Sequence, residues 1–378
     1  MNILIISPDY PDKFRTRFSF VKQLVEAFVR KGHICTVVAP YNVAKNRHFP
    51  HHKETIVTGY GKYDLIRPYT VSLSTYKYRD KLITNFFHER AVKNALNKLT
   101  FKPDVVYGHF WQSAYEGYEY AKRKKIPLFV ATGESDILEQ FQPQFVTKSF
   151  FEYVSGVICV SSKNKEESIR LGLTLEGKCL VAPNSINSSL FKNMNKIECR
   201  ERLGFPKGAF IVAFVGWFIN RKGAKRVAEA IAGSGTPTVY SIFIGQGDEE
   251  PICDSILHKG ALPNEQIPLY LNAADIFVLP TLKEGCCNAI IEAMACGLPI
   301  VSSNLPFNWD VLDASNSIMI DPNDVNAIRS AIVELRDNHQ RKQELSIGAL
   351  NKAKELTIDK RAERIIDFIN LKLQNNDR

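Results

Sequence analysis

Two acidic residues, Glu284 and Glu292, stand with seven residues between them in the stretch Ala274 to Pro299, which reads ADIFVLPTLKEGCCNAIIEAMACGLP. The pattern predicts strand, loop, helix and strand in turn, with the helix opening near Cys287. The first turn of such a helix carries unpaired N–H groups and the positive end of the peptide dipole, so the backbone of Gly285, Cys286, Cys287 and Asn288 is placed to hold a phosphate. Glu292 falls mid-helix among Ile290, Ile291, Ala293 and Met294, where a carboxylate is costly unless it accepts hydrogen bonds. Ribose hydroxyls would supply them. Glu284, in the loop, is suited to hydroxyls of a second sugar, since neither anion belongs against a diphosphate. The plainer alternative is that Glu292 caps a buried backbone group and Glu284 is a surface charge.

Other candidate signals carry less. Gly172-x4-Gly177-Lys178 resembles a phosphate loop, but Cys179 stands where a magnesium-binding hydroxyl is needed, and the segment follows a helix. Gly245-x-Gly247 lacks a third glycine, because position 250 is Glu. No Asp-x-Asp pair occurs, so neither a metal nor a cofactor is expected; positive side chains and the helix N-terminus would do a metal's work. The eight cysteines form no C-x-x-C pair and read as reduced, mostly buried thiols.

The stretch ADIFVLPTLKEGCCNAIIEAMACGLPIVSS resembles the signature of glycosyltransferase family 4, retaining enzymes with the GT-B fold. The likeness extends outward from it. Phe214-Val215-Gly216 through Lys222-Gly223 is similar to the family's diphosphate loop, and Ile244-Gly245-Gln246-Gly247 to its next strand end. Val160-Ser161-Ser162 and the interdomain segment Pro183-Asn184-Ser185-Ile186-Asn187 also match, and the resemblance is strong over about residues 156 to 305. It implies that Lys222 meets the donor's diphosphate, and a lysine on a strand-end loop is a suitable cation for a leaving group that gains charge. Two departures stand out. Trp217 occupies the position of the usual arginine, leaving Arg221 as the substitute cation, and Gly133 occupies the position of a usual histidine, so that donor contact is either absent or replaced by Glu134. His109, after a strand, is a candidate on the first domain, and Arg15 and Arg17 stand where the family has glycines.

These residues need a scaffold. Short apolar β-branched runs recur between helix-length segments: NILIIS, CTVVAP, DVVYG, PLFVAT, GVICVSS and CLVAPN, then AFIVAFVG, YSIFIG, ILHKGAL, IFVLP, PIVSS and SIMID. Unbroken apolar strands alternating with helices predict parallel sheets covered on both faces. A chain of 378 residues is too long for one core, so the fold class is α/β with two doubly wound, Rossmann-like domains. Val21, Leu24, Val25 and Phe28 mark one helix stripe, closed by Gly32. The resemblance implies the GT-B arrangement: an acceptor domain over 1–182, a nucleotide-sugar domain over 183–356, a cleft between them, and a helix over 357–378 returning to the first domain. That helix carries Ile365, Ile366, Phe368, Ile369 and Leu371 and must bury one face.

Charge narrows the acceptor. Residues 41 to 125 hold 16 Lys plus Arg against 7 Asp plus Glu, which equals the whole chain's excess of +9. The bland reading is a solvated face; the sharper one is an anionic partner such as a polyprenyl-diphosphate-linked glycan or an anionic membrane surface, with no nucleic acid. Tyr76-Lys77-Tyr78-Arg79 would touch lipid, whereas Phe86 and Phe87 are expected in the core. The N-terminal run has no basic lead, and no apolar stretch reaches membrane-spanning length, so a cytoplasmic protein, peripheral at most, is expected. The expected activity is hexose transfer from a nucleotide diphosphate sugar to a glycan or lipid-linked acceptor. The resemblance implies front-face displacement. A nucleotide-sugar epimerase and a non-catalytic binding module of the same fold are the rivals, and the nucleobase is open.

Overall fold

The computed structural model describes residues 1–15, 17–44, 49–71, 77–78, 81–235 and 238–376. It divides into unit 1, Met1–Ala182 with Ala362–Arg378, and unit 2, Pro183–Arg361.

Unit 1 is built on an eight-stranded sheet: β1 (Asn2–Ile6), β2 (Ile34–Val38), β3 (Lys53–Thr58), β4 (Gly61–Ile66), β5 (Val105–His109), β6 (Leu128–Thr132), β7 (Val154–Cys159) and β8 (Cys179–Val181). Their order is β8-β7-β6-β5-β1-β2-β4-β3. All neighbours are parallel except the β3–β4 hairpin. Every apolar run read from the first half became a strand, because Val, Ile and Leu on both faces need cover on both sides. The hairpin escaped notice: KETIVT alternates between exposed and half-buried positions and lies at the sheet edge. Helix α1 (Ser19–Arg30) buries Val21, Leu24, Val25 and Phe28, and Gly32 follows it at φ 83°, a left-handed turn that suits glycine. Helix α2 (Trp111–Lys124) packs Trp111 and Tyr118 into a core with Phe141 and Phe150.

Unit 2 holds a six-stranded, all-parallel sheet: β9 (Phe210–Val215), β10 (Val239–Ile244), β11 (Ile256–Gly260), β12 (Ile276–Leu279), β13 (Ile300–Ser303) and β14 (Ser317–Ile320). The order is β11-β10-β9-β12-β13-β14. The chain therefore runs outward from β9 to β11, returns beside β9, and runs outward the other way. This reversal makes the β9/β12 gap the switch point, where the carboxyl ends of the strands leave a crevice for a ligand. In unit 1 the corresponding reversal falls between β1 and β5. Helices α3 (Lys196–Leu203), α4 (Ala224–Ala232), α5 (Asn288–Ala295) and α6 (His339–Glu355) belong to unit 2.

The last helix, α7 (Ile358–Asn376), is shared between the units. Unit 2 extends to Arg361, past the expected boundary at 356, because Ile186 bonds the backbone at both Leu356 and Ile358. From Ala362 onward the helix belongs to unit 1. Ile365 and Ile369 are fully buried, and each such side chain contributes about 2 kcal/mol. Phe368 lies 6.3 Å from the ring of Phe129 and fills the space left by Gly156, where a Cβ would come within 2.7 Å of it. Leu371, expected on the buried stripe, is exposed.

Phe86 and Phe87 correct another expectation. They lie on the helix Ile83–Asn97, but Phe86 is 59% and Phe87 36% exposed, so they are not core residues. Tyr76 and Arg79 lie outside the described residues.

Candidate functional site

Two loops meet at the unit 2 switch point. The first runs from Gly216, after β9, to Gly223, which caps α4 at φ 82°. The second runs from Pro280, after β12, to Cys287, which precedes α5. Backbone and side chain staple them together. Leu282 N–H donates to the Arg221 carbonyl at 2.8 Å, the Arg221 guanidinium donates to the Lys283 carbonyl at 2.6 Å, and Arg226 donates to the Pro280 carbonyl at 2.9 Å.

This stapling carries Arg221 and Lys222 to Glu284. Lys222 Nζ lies 2.5 Å and Arg221 Nη1 3.1 Å from Glu284 Oε1, and Thr281 Oγ1 donates to the same oxygen at 2.9 Å. All three contacts fall on Oε1. Among the described residues none is made to Oε2, so one oxygen of the carboxylate remains available as an acceptor. The Lys222 and Glu284 side chains are only 13% and 12% exposed. Burial alone would lower the Lys222 pKa, but the charges of Cys287, once it ionises at high pH, and of Glu284 outweigh it and hold the lysine above its usual value. The ammonium is therefore charged at any physiological pH.

Helix α5 opens at Cys287 as expected, and the cysteine makes no side-chain cap to it. The N–H groups of its first turn have no intrahelical acceptor, which leaves a positive edge beside the Lys222–Glu284 pair. Gly285, Cys286 and Cys287 are buried, and Asn288 is half-buried. Burial raises the Cys287 thiol and pushes Cys286 up to about 12, so both remain neutral near pH 7 and neither opposes an anion. Asn184 donates to the Cys286 carbonyl at 3.0 Å and is itself held by Arg361 at 2.9 Å, fixing the loop before the helix.

Glu292 is on α5, and among the described residues its carboxylate accepts no hydrogen bond. It is not a backbone cap. Burial alone pushes its pKa up to about 7, the mark of a carboxylate whose acceptor capacity is unspent. Nothing among the described residues links it to the Glu284 cluster.

The glycines explain how close these loops come. A Cβ at Gly245, just past β10 with φ 155°, would meet the Gly216 carbonyl oxygen at 1.9 Å. Gly216 in turn bonds back to β10 through its N–H, 2.9 Å from the Ile244 carbonyl.

Residues 19–190 match the model for Glycosyltransferase Family 4, and residues 209–338 that for Glycosyl transferases group 1. The chain belongs to this glycosyltransferase family. TuaC of Bacillus subtilis, named for teichuronic acid biosynthesis, is 28% identical over 253 residues, 64% of each chain. The UDP-Gal:alpha-D-GlcNAc-diphosphoundecaprenol alpha-1,3-galactosyltransferase of Escherichia coli is 28% identical over 263 residues, 63% of this chain and 67% of that one. The match thus spans about two thirds of the length of these relatives. A solved structure of sucrose-phosphate synthase from Thermosynechococcus elongatus superposes with a TM-score of 0.76 at 19% identity, covering 99% of each chain, which makes the fold GT-B.

Against the family pattern, Trp217 is an exposed side chain in the first loop, and Arg221, four positions on, holds Glu284 from within the same loop. In unit 1, Glu134 is bonded to its own and a neighbouring loop. It is 1% exposed, and its carboxylate accepts from Trp111 N–H at 3.1 Å, Thr132 Oγ1 at 2.7 Å and Gly133 N–H at 2.8 Å. Burial raises its pKa against these bonds. A carboxylate whose two oxygens both accept within the loops after β5 and β6 positions those loops. Gly133 leaves little room for a side chain, since a Cβ would approach Val160 at 3.1 Å.

His109 ends β5 and is 4% exposed, its ring 5.3 Å from Phe20 and 4.8 Å from Phe110. Phe18 and Phe110 both adopt positive φ, 62° and 77°, and their rings lie 6.0 Å apart. Two phenylalanines in a conformation that costs about 1–2 kcal/mol each mark the unit 1 switch point as a strained, aromatic-lined edge. Arg15 is taken up by Asp9, Asp12 and the face of Tyr41, whereas Arg17 is exposed.

Thr281 and Asn184 were missing from the sequence reading as site residues. Both are small polar residues with no spacing signal, and only the folded loops reveal what they touch.

Proposed function

We propose that this chain is a retaining glycosyltransferase that moves a hexose-type sugar from a nucleotide diphosphate sugar to a glycan or lipid-linked acceptor in cell-surface polysaccharide synthesis. The observation that carries the reading is the Arg221–Lys222–Glu284 cluster at the unit 2 switch point, beside the uncapped N-terminus of α5. A diphosphate seated there receives Lys222, Arg221 and the first-turn N–H groups. These cations and dipoles stabilise the charge that develops as the bond to the nucleoside diphosphate breaks, with no metal required. Glu284 keeps Lys222 in place with one oxygen and offers the other to sugar hydroxyls. Glu292 accepts from the ribose. The acceptor hydroxyl attacks from the face that the leaving group vacates, which yields retention without an enzyme nucleophile.

Unit 1 is the proposed acceptor side, with His109 and the aromatic edge at its switch point. Its basic surplus and the lipid-linked acceptor in the name of the Escherichia coli relative favour an anionic, polyprenyl-diphosphate-linked glycan presented at the inner membrane face. No helix among the described residues is long and apolar enough to cross a membrane.

The test is Glu284→Gln. It should reduce transfer about a hundredfold or more, with nucleoside diphosphate affinity within about threefold of wild type, since Lys222 and Arg221 remain. Wild-type transfer in that variant would defeat the reading, as would conversion of the donor alone into an isomeric nucleotide sugar.

A further inference from the structure

The amino-terminal edge of the unit 2 sheet carries a second cationic cavity. It is about 690 Å³ in volume and is lined by Arg200, Lys207, Arg336, Lys342, Tyr240 and Asp275 among others. Its floor is the start of β9 and the residue preceding β12. These are the two strands whose other ends carry the loops of the site above, so the two sites lie roughly 15 Å apart along the strands. This cavity is a separate place.

Two of its cations are paired with carboxylates beside the cavity, Lys207 with Glu201 at 2.5 Å and Arg336 with Asp337 at 2.7 Å. Four cations line it, and Asp275 is the one carboxylate among the lining residues. Asp275 is already committed on both oxygens: Oδ1 to Lys196 at 2.7 Å, and Oδ2 to Arg200 at 2.7 Å and the Ile211 N–H at 2.8 Å. Arg200 also donates to the carbonyls of Ala273 and Lys207, at 2.8 and 2.6 Å. Lys342 is different. It is half-buried on the first turn of α6, with its ammonium 5.0 Å from the centre of the Phe210 ring, and among the described residues no oxygen lies within hydrogen-bond distance of it. Burial holds its pKa below the usual lysine value, and the cations Lys196 and Arg200 lower it further against partial relief from Asp275. Of the four lining cations Lys342 alone has no carboxylate or carbonyl partner among the described residues, and a half-buried ammonium so placed is suited to an anion.

We propose that this cavity binds the phosphate or diphosphate group of a small molecule, at a site distinct from the donor loops, with Lys342 as its principal ligand and Lys207, drawn from its exposed pair with Glu201, as its second. The volume is ample for a phosphorylated metabolite. The proposal is independent of the donor-site reading, because it uses none of the same residues.

Pyrophosphate is the probe, titrated at matched ionic strength into the full chain carrying Lys222→Met, which disables the other cation site. The expected result is a saturable rise in melting temperature and a calorimetric isotherm. Adding Lys342→Met should weaken that binding about tenfold or more, the scale of one charge-assisted contact, while Lys342→Arg retains it. Lys207→Met is the second variant should Lys342→Met fold poorly, with the same loss expected. Loss of all pyrophosphate binding in Lys222→Met alone would overturn the proposal. So would equal binding with and without the Lys342 and Lys207 substitutions, or an equal effect of chloride.

Discussion

The pairing of Lys222 with Glu284 gives the loop its chemistry, because each side chain would be expensive to hold in a largely buried place without the other. Lys222→Met is expected to lower both transfer and nucleoside diphosphate affinity. Removing the ammonium takes away a charge-assisted contact worth about 1.5–3 kcal/mol, hence roughly tenfold or more in affinity by titration. Glu292 supplies a pH test. Its folded pKa of about 7 lies above the ordinary 4.5, so the folded protein binds that proton more tightly than the unfolded chain does. The stability this confers is fully present below pH 4.5 and is lost as the pH rises through 7. Glu292→Gln should therefore melt like wild type near pH 4.5 and be more stable at pH 8, by up to about 3 kcal/mol. Ligand hydroxyls need the ionised form. Nucleoside diphosphate affinity should accordingly increase from pH 5.5 to 8 in the wild type and stay flat in Glu292→Gln.

Among the elements, the parallel strands were legible because uninterrupted Val, Ile and Leu runs have no other comfortable place, and the helix after Cys287 was legible from the apolar residues that follow. The β3–β4 hairpin was not, since its half-exposed alternation is shared by many loops. Phe86 and Phe87 were misplaced because aromatic content alone does not say which face of a helix is covered. The bonds of Glu134 were not legible for a related cause: its partners are two backbone N–H groups and one hydroxyl, and backbone donors leave no trace in residue identities. The Arg221–Lys222 doublet was legible as a cation source, but its convergence on one oxygen of Glu284 depends on the loop stapling. That stapling sits on glycine contacts, which can be tested. Gly245→Ala should destabilise the protein by at least about 2 kcal/mol, since its methyl would collide with the Gly216 carbonyl, and chemical denaturation would report it. Nucleoside diphosphate affinity should fall in parallel, as Gly216 begins the Lys222 loop.

For the whole molecule, the uneven charge and the exposed Phe86 and Phe87 on unit 1 lead to an expected preference for anionic membranes. In liposome flotation, recovery should be higher with anionic than with neutral lipid, should fall as salt rises, and should drop when both phenylalanines become Ser. Equal recovery in all cases would count against a lipid-borne acceptor. The account as a whole stands on where the donor sits. A crystal structure of the chain with a nucleotide sugar tests this most directly. The expected result is a diphosphate on the α5 N-terminus and Lys222, with Glu284 and Glu292 within hydrogen-bond distance of the transferred sugar and the ribose, respectively. A donor held elsewhere, or both carboxylates turned away from it, would contradict the account.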